Sequence, residues 1–122
     1  MTNGNGGAEE ALRHAVESVH AMHAQYGAME AVAVQAAQQL ADLKAKIQQA
    51  HTDTDALNVA FSNGSGVPEA LDTAQASIGA AQASQIVSQS LIASFNNESA
   101  VLTAAAQEAV NNIQTFRNEY ET

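Results

Sequence analysis

Residues 8–50 contain one glycine, Gly27, and no proline, and this uninterrupted stretch limits the fold more than any other feature. Nothing in it stops a helix. Apolar residues recur on one stripe: Leu12, Val16, Val19, Met22, Tyr26, Met29, Ala33, Ala36, Leu40, Leu43 and Ile47. Almost every step is three or four residues, close to the 3.5 average of a coiled-coil seam. Glu9 and Glu10 near the start and Lys44 and Lys46 near the end complement the helix macrodipole. The pattern predicts one helix over 8–50, roughly 60 Å long at 1.5 Å per residue. Residues 1–7, MTNGNGG, read as a flexible arm.

Residues 51–67 break the stripe. Thr52-Asp53-Thr54-Asp55 offers N-cap candidates for a short turn of helix reaching Phe61. Ser62-Asn63-Gly64-Ser65-Gly66 is a run of turn formers, and Pro68 suits a first helical position. A second helical region is predicted over 68–120, with Leu71, Ala74, Ile78, Ala81, Leu91, Phe95, Leu102, Ala106, Ala109, Ile113, Phe116 and Tyr120 on its stripe. Asn96-Asn97-Glu98-Ser99 is the place where it could break, because such side chains compete for backbone hydrogen bonds; continuous helix is the favoured reading.

Two long helices on a short connection must run antiparallel for their stripes to meet. The expected fold is therefore all-α, a long antiparallel helical hairpin in a single domain. Of the 46% apolar residues about half are alanine, and there is no tryptophan. Alanine buries only about one or two methylene equivalents, at ~0.8 kcal/mol each. Such helices gain from packing closely on neighbours. The apolar positions, Val32, Val34, Ile86, Val87, Ile92, Val101 and Val110 among them, also spread wider than one seam. Exposed apolar surface of that extent marks an interface. The bundle is thus expected to be completed by oligomerisation, with Leu12, Val16, Val19, Met22, Tyr26, Met29, Leu40, Leu43, Ile47, Phe61, Ile78, Leu91, Phe95, Leu102, Ile113, Phe116 and Tyr120 as interface residues.

The formal charge of −9 argues against nucleic acid and anionic membrane as partners, since both demand a basic face. A protein partner is expected, either a second copy or a related hairpin. No stretch reaches the ~18 apolar residues of a spanning helix, and the start lacks a cleavable signal peptide. The expectation is a soluble chain that leaves the cell, if it does, by a non-classical route or within a particle.

Chemistry-bearing motifs are weak. His14, Glu17, His20 and His23 trace a slanted line, and Glu17-x-x-His20 has the form used in di-iron bundles. The second helical region has no histidine to complete such a site, so a solvated polar face is the stronger reading. Asn63-Gly64-Ser65-Gly66 lacks the lysine and strand of a phosphate loop. Asp53-Thr54-Asp55 lacks the glycine and glutamate of a calcium loop. There is no cysteine and no Gly-x-Ser-x-Gly elbow. Neither an enzyme nor a cofactor or metal site is expected.

The layout resembles the WXG100 (ESAT-6-like) group in its hairpin architecture, acidic charge, absence of cysteine and signal peptide, and glycine-bearing connection. Where that family carries Trp-x-Gly, this chain has Phe61-Ser62-Asn63-Gly64, one residue longer. The family's C-terminal Tyr-x-x-x-Asp/Glu signal is approximated by Phe116-Arg117-Asn118-Glu119-Tyr120-Glu121 with different spacing. The resemblance implies a substrate or partner of type VII secretion working as a helical-bundle dimer. The alternative is a self-assembling structural subunit of a phage, virion or filament; residues 90–109 resemble R-body-type polymer subunits.

Overall fold

The computed structural model describes residues 2–122, with side chains from Gly6 onward. It contains two helices, α1 (Thr2–Asn63) and α2 (Val67–Glu121), packed against each other as an antiparallel hairpin. The chain forms two compact units. Unit 1 joins α1 up to Val32 with Ser94–Thr122, and unit 2 is Ala33–Ala93 with the turn at its end.

The connection is much shorter than 51–67. Helix α1 runs on to Asn63, and the turn is Gly64-Ser65-Gly66. The Ser65 amide donates to the Ala60 carbonyl (3.1 Å) and the Gly64 amide to the Phe61 carbonyl (3.2 Å). These are the two bonds of a Schellman motif, which needs a left-handed residue after the helix. Gly64 supplies it with φ of 69°. Gly66, at φ 74°, then caps α2: its carbonyl accepts from the Ala70 amide at 3.1 Å. Pro68 is thus the second helical residue, one later than expected, where its missing N–H costs nothing. The Thr52–Asp55 cluster caps nothing because α1 runs straight through it, and its two carboxylates pair along the helix. Gln49 Nε2 donates to Asp53 (2.9 Å), and His51 Nδ1 lies 3.3 Å from Asp55.

At Asn96–Ser99 α2 is unbroken. Glu98 turns inward, and both its carbonyl (3.0 Å) and carboxylate (2.6 Å) accept from Gln25 Nε2. The expected arm at 1–7 is helical from Thr2; Met1 lies outside the described residues. Gly7 sits close enough to Glu119 that a Cβ there would meet its carboxylate, so the first turns of α1 lie beside the last turns of α2.

The inward positions have a strict period. In α1, residues 11, 15, 18, 22, 25, 29, 32, 36, 39, 43, 46, 50, 53, 57 and 60 are all buried or half-buried; beyond residue 10, only Ala33 and Asp42 join them. In α2 the same alternation of three and four runs from Val67 and Ala70 to Asn112 and Phe116, joined only by Ser99 and Ala106. These are heptad a and d positions. Among the described residues the buried ones are small, Ala11, Ala15, Ser18, Ala74, Ser84, Ser88 and Ala109, and no large side chain is fully buried. Several d positions are polar and bond across the seam. Gln39 Nε2 donates to Ser84 Oγ (2.8 Å), and Ser84 Oγ donates to Asp42 Oδ2 (2.9 Å). Small and polar seam residues let the helices approach, but they bury little apolar area.

Candidate protein-interaction surface

The stripe read from the sequence is centred on the a and e positions, whereas the helices pack through a and d. With about 100° per residue, the two midlines differ by roughly 50° around each helix. Of the expected interface residues, Met22, Met29, Leu43, Leu91, Phe95, Leu102 and Phe116 are half-buried in the seam. Leu12, Val19, Tyr26, Leu40, Ile47, Phe61, Ile78, Ile113 and Tyr120 stand at e, and Val16 at b, all exposed.

Within each unit the e columns of both helices fall on one flank. In unit 1 they bound an apolar groove of about 490 Å³, walled by Leu12, Val16 and Val19 on α1 and by Ala106, Val110 and Ile113 on α2. Ala15 and Ala109 form its floor, and His20 stands on its rim. In unit 2 a second groove of about 490 Å³ lies between Leu43 and Ile47 on one helix and Ile78 and Ala81 on the other, with Gln82 and Gln85 at its edge.

The opposite, g-and-c flank is different. In unit 1 its groove is lined by His14, Glu17, Ser18, Ala21, Ala105, Glu108 and Asn112. Asn112 Nδ2 donates to the His14 carbonyl there at 3.4 Å. In unit 2 this flank carries Asp42, which also receives Lys46 Nζ at 2.8 Å. Hydrogen bonds from Lys46 and Ser84 hold the Asp42 carboxyl below its ordinary value. On the outer side, Arg13 lies 2.7 Å from Glu10 and depresses that carboxyl likewise.

Among the described residues, thirteen of the eighteen exposed large apolar side chains lie at e or b; only Val59, Val87 and Val101 lie on the g-and-c flank. Charge divides the same way. The e columns carry no charged residue, and at b Glu9 and Glu30 balance Lys44 and Arg117. The whole of the −9 therefore resides off this flank. No family model, curated protein or solved structure matches this chain.

Among the described residues no three His, Asp or Glu side chains gather to hold a metal. His14 pairs with Glu10 at 3.3 Å, with both side chains at least half exposed. Among the described residues no helix is long and apolar enough to cross a membrane. What a reading of one stripe misses is the inner set: Ser18, Gln25, Gln39, Ser84 and Ser88 are polar, yet they face the seam. Their signal was available, since counting by sevens from Ala11 reaches Ser18, Gln25, Val32 and Gln39 in turn.

Proposed function

We propose that this chain is a non-enzymatic protein-interaction module that binds through its e-and-b flank. The observation supporting it is the coincidence of exposed apolar side chains with charge neutrality on one side of an otherwise acidic hairpin. Covering one half-exposed Val, Leu or Ile is worth up to about 1.5 kcal/mol, so several together support a stable complex. The partner is a protein with an apolar helical face, itself or a related hairpin. A basic client would find its attraction on the other faces.

The test compares variants. Tagged wild-type chain, produced in its own cells, is expected to retain a stoichiometric protein partner that the Val16→Glu, Ile113→Glu double variant loses and Val101→Glu keeps. Identical profiles for all three would sink the reading. The resemblance to the WXG100 group extends this proposal to type VII secretion, where export is expected to fail once residues 116–122 are removed.

A second reading, a self-assembling structural subunit, is favoured by apolar residues away from that flank. Val34, Ile86 and Val87 are exposed on other sides, and they provide contacts beyond a closed pair. It predicts polymers visible by electron microscopy at high protein concentration.

A further inference from the structure

We infer that the apolar flank of unit 1 docks onto the same flank of a second copy of this chain, about a two-fold axis parallel to the helices, so that α1 of each copy covers α2 of the other. This rests on the interaction-module reading and names its partner. The argument begins with charge: an acidic chain can approach a copy of itself only where acid does not meet acid, and this flank is the one that satisfies that condition.

Geometry then selects the axis. Val16 and Val110 face the same groove from opposite helices, as do Leu12 and Ile113. Glu9 lies one heptad before Val16, and Arg117 one heptad after Val110, so in an antiparallel pair they stand at one level. An axis parallel to the helices sets Val16 over Val110 of the second copy, Leu12 over its Ile113 and Glu9 over its Arg117. Apolar meets apolar at the first two of these rungs, and acid meets base at the third. An axis perpendicular to the helices through unit 1 would instead set Val16 on Val16, leaving Arg117 opposite Thr103 and away from any carboxylate on the flank. The ion pair adds little energy at a surface, but it discriminates between the two orientations.

The chain has no cysteine, so introduced thiols report without background. Val16→Cys and Val110→Cys are made as separate full-length variants, which removes any intramolecular disulfide from the outcome. Oxidised together, they are expected to give a covalent dimer containing one of each, while either alone gives at least tenfold less. A disulfide forms only with Cβ atoms about 3.5–4.5 Å apart, so the yield reports the rung directly. Efficient self-linking of Val16→Cys alone overturns the axis. Sedimentation of the wild-type chain as a monomer at about 100 μM overturns self-docking altogether. That result would leave the module reading to stand or fall on whether capture of another protein is lost in Val16→Glu, Ile113→Glu.

Discussion

The two flanks of this hairpin are built by the same two helices in the same heptad register, yet one is apolar and neutral and the other polar and acidic. On the e-and-b side Leu12, Val19, Ile78 and Ile113 stand exposed with no charged residue in their columns. On the g-and-c side Glu17, Asp42 and Glu108 line the surface. The difference arises at the seam. A seam of Ala, Ser and Gln brings the backbones together, but it leaves most of the large side chains one position outside it. A hairpin with leucine at every a and d would have satisfied itself. This one packs its smallest residues inward and leaves thirteen large apolar side chains exposed on its e-and-b flank.

The largest effect should come from placing charge on the two flanks in turn. Val16→Glu with Ile113→Glu is expected to weaken association at least 100-fold by sedimentation equilibrium. Each substitution removes up to about 1.5 kcal/mol of apolar burial and adds a desolvated carboxylate. Val101→Glu, on the other flank, should change association less than threefold. Equal losses would mean that both flanks are covered, and the contrast would dissolve.

Next comes the seam that creates the contrast. Ala74 is 2% exposed, and Ala74→Leu should force the helices apart, at about 1–3 kcal/mol of overpacking. Chemical denaturation would register this as a lower midpoint. If the variant unfolds at the wild-type midpoint, the seam has room for large residues, and close approach is not what leaves the e columns outside.

The hairpin itself was legible from the absence of breakers and the steps of three and four. The axis of packing was not. A stripe such as Leu12, Val16, Val19, Met22 marks where apolar mass lies, and packing was assumed to follow it. In the structure Ser18 and Gln25 point inward instead: Ser18 Oγ donates within α1 to the Ala15 carbonyl, Gln25 Nε2 donates across the seam to Glu98, and these bonds compensate for their polarity. Helix α1 outruns its expected end at residue 50 for a related reason. Asp53 and Asp55 resemble caps locally, but Leu57 and Ala60 continue the inner heptad, so the tertiary seam overrides the local preference. The apolar residues that spread wider than one seam were legible too, but of these Ile92 and Val110 stand on the flank described above, whereas Val34, Ile86, Val87 and Val101 stand exposed elsewhere.

Glycine substitutions provide a smaller, two-signed control. Gly64 holds a left-handed φ at the helix end, and Gly64→Ala should cost about 1–2 kcal/mol. Gly27 lies on the outward f column of α1 with nothing within 4 Å of a built Cβ. Gly27→Ala should stabilise the helix by about 0.5–1 kcal/mol and leave association unchanged, as thermal melts and sedimentation would show. A change in association would place f residues inside the interface and widen the covered flank.

The smallest effect belongs to the polar flank and is its own signature. Asp42 accepts from Lys46 Nζ at 2.8 Å and from Ser84 Oγ at 2.9 Å, and both bonds favour the ionised carboxyl, lowering it from its ordinary value of 3.8. A carboxyl depressed on folding contributes stability that is fully present above the unfolded value and is lost as the pH falls through the folded one. The loss should therefore begin near pH 4 and continue below it, and it should be slight because the side chain is 44% exposed. Urea midpoints measured between pH 5 and pH 3 would show it as a shallow slope that Asp42→Asn reduces. On the other flank Leu12 and Ile113 have nothing to titrate, so Leu12→Ala should leave the slope as it was while lowering association. Should Asp42→Asn keep the full acid slope, the bond linking Asp42 to Ser84 is not a feature of the folded chain in solution, and the polar flank loses the contact that ties it to the seam.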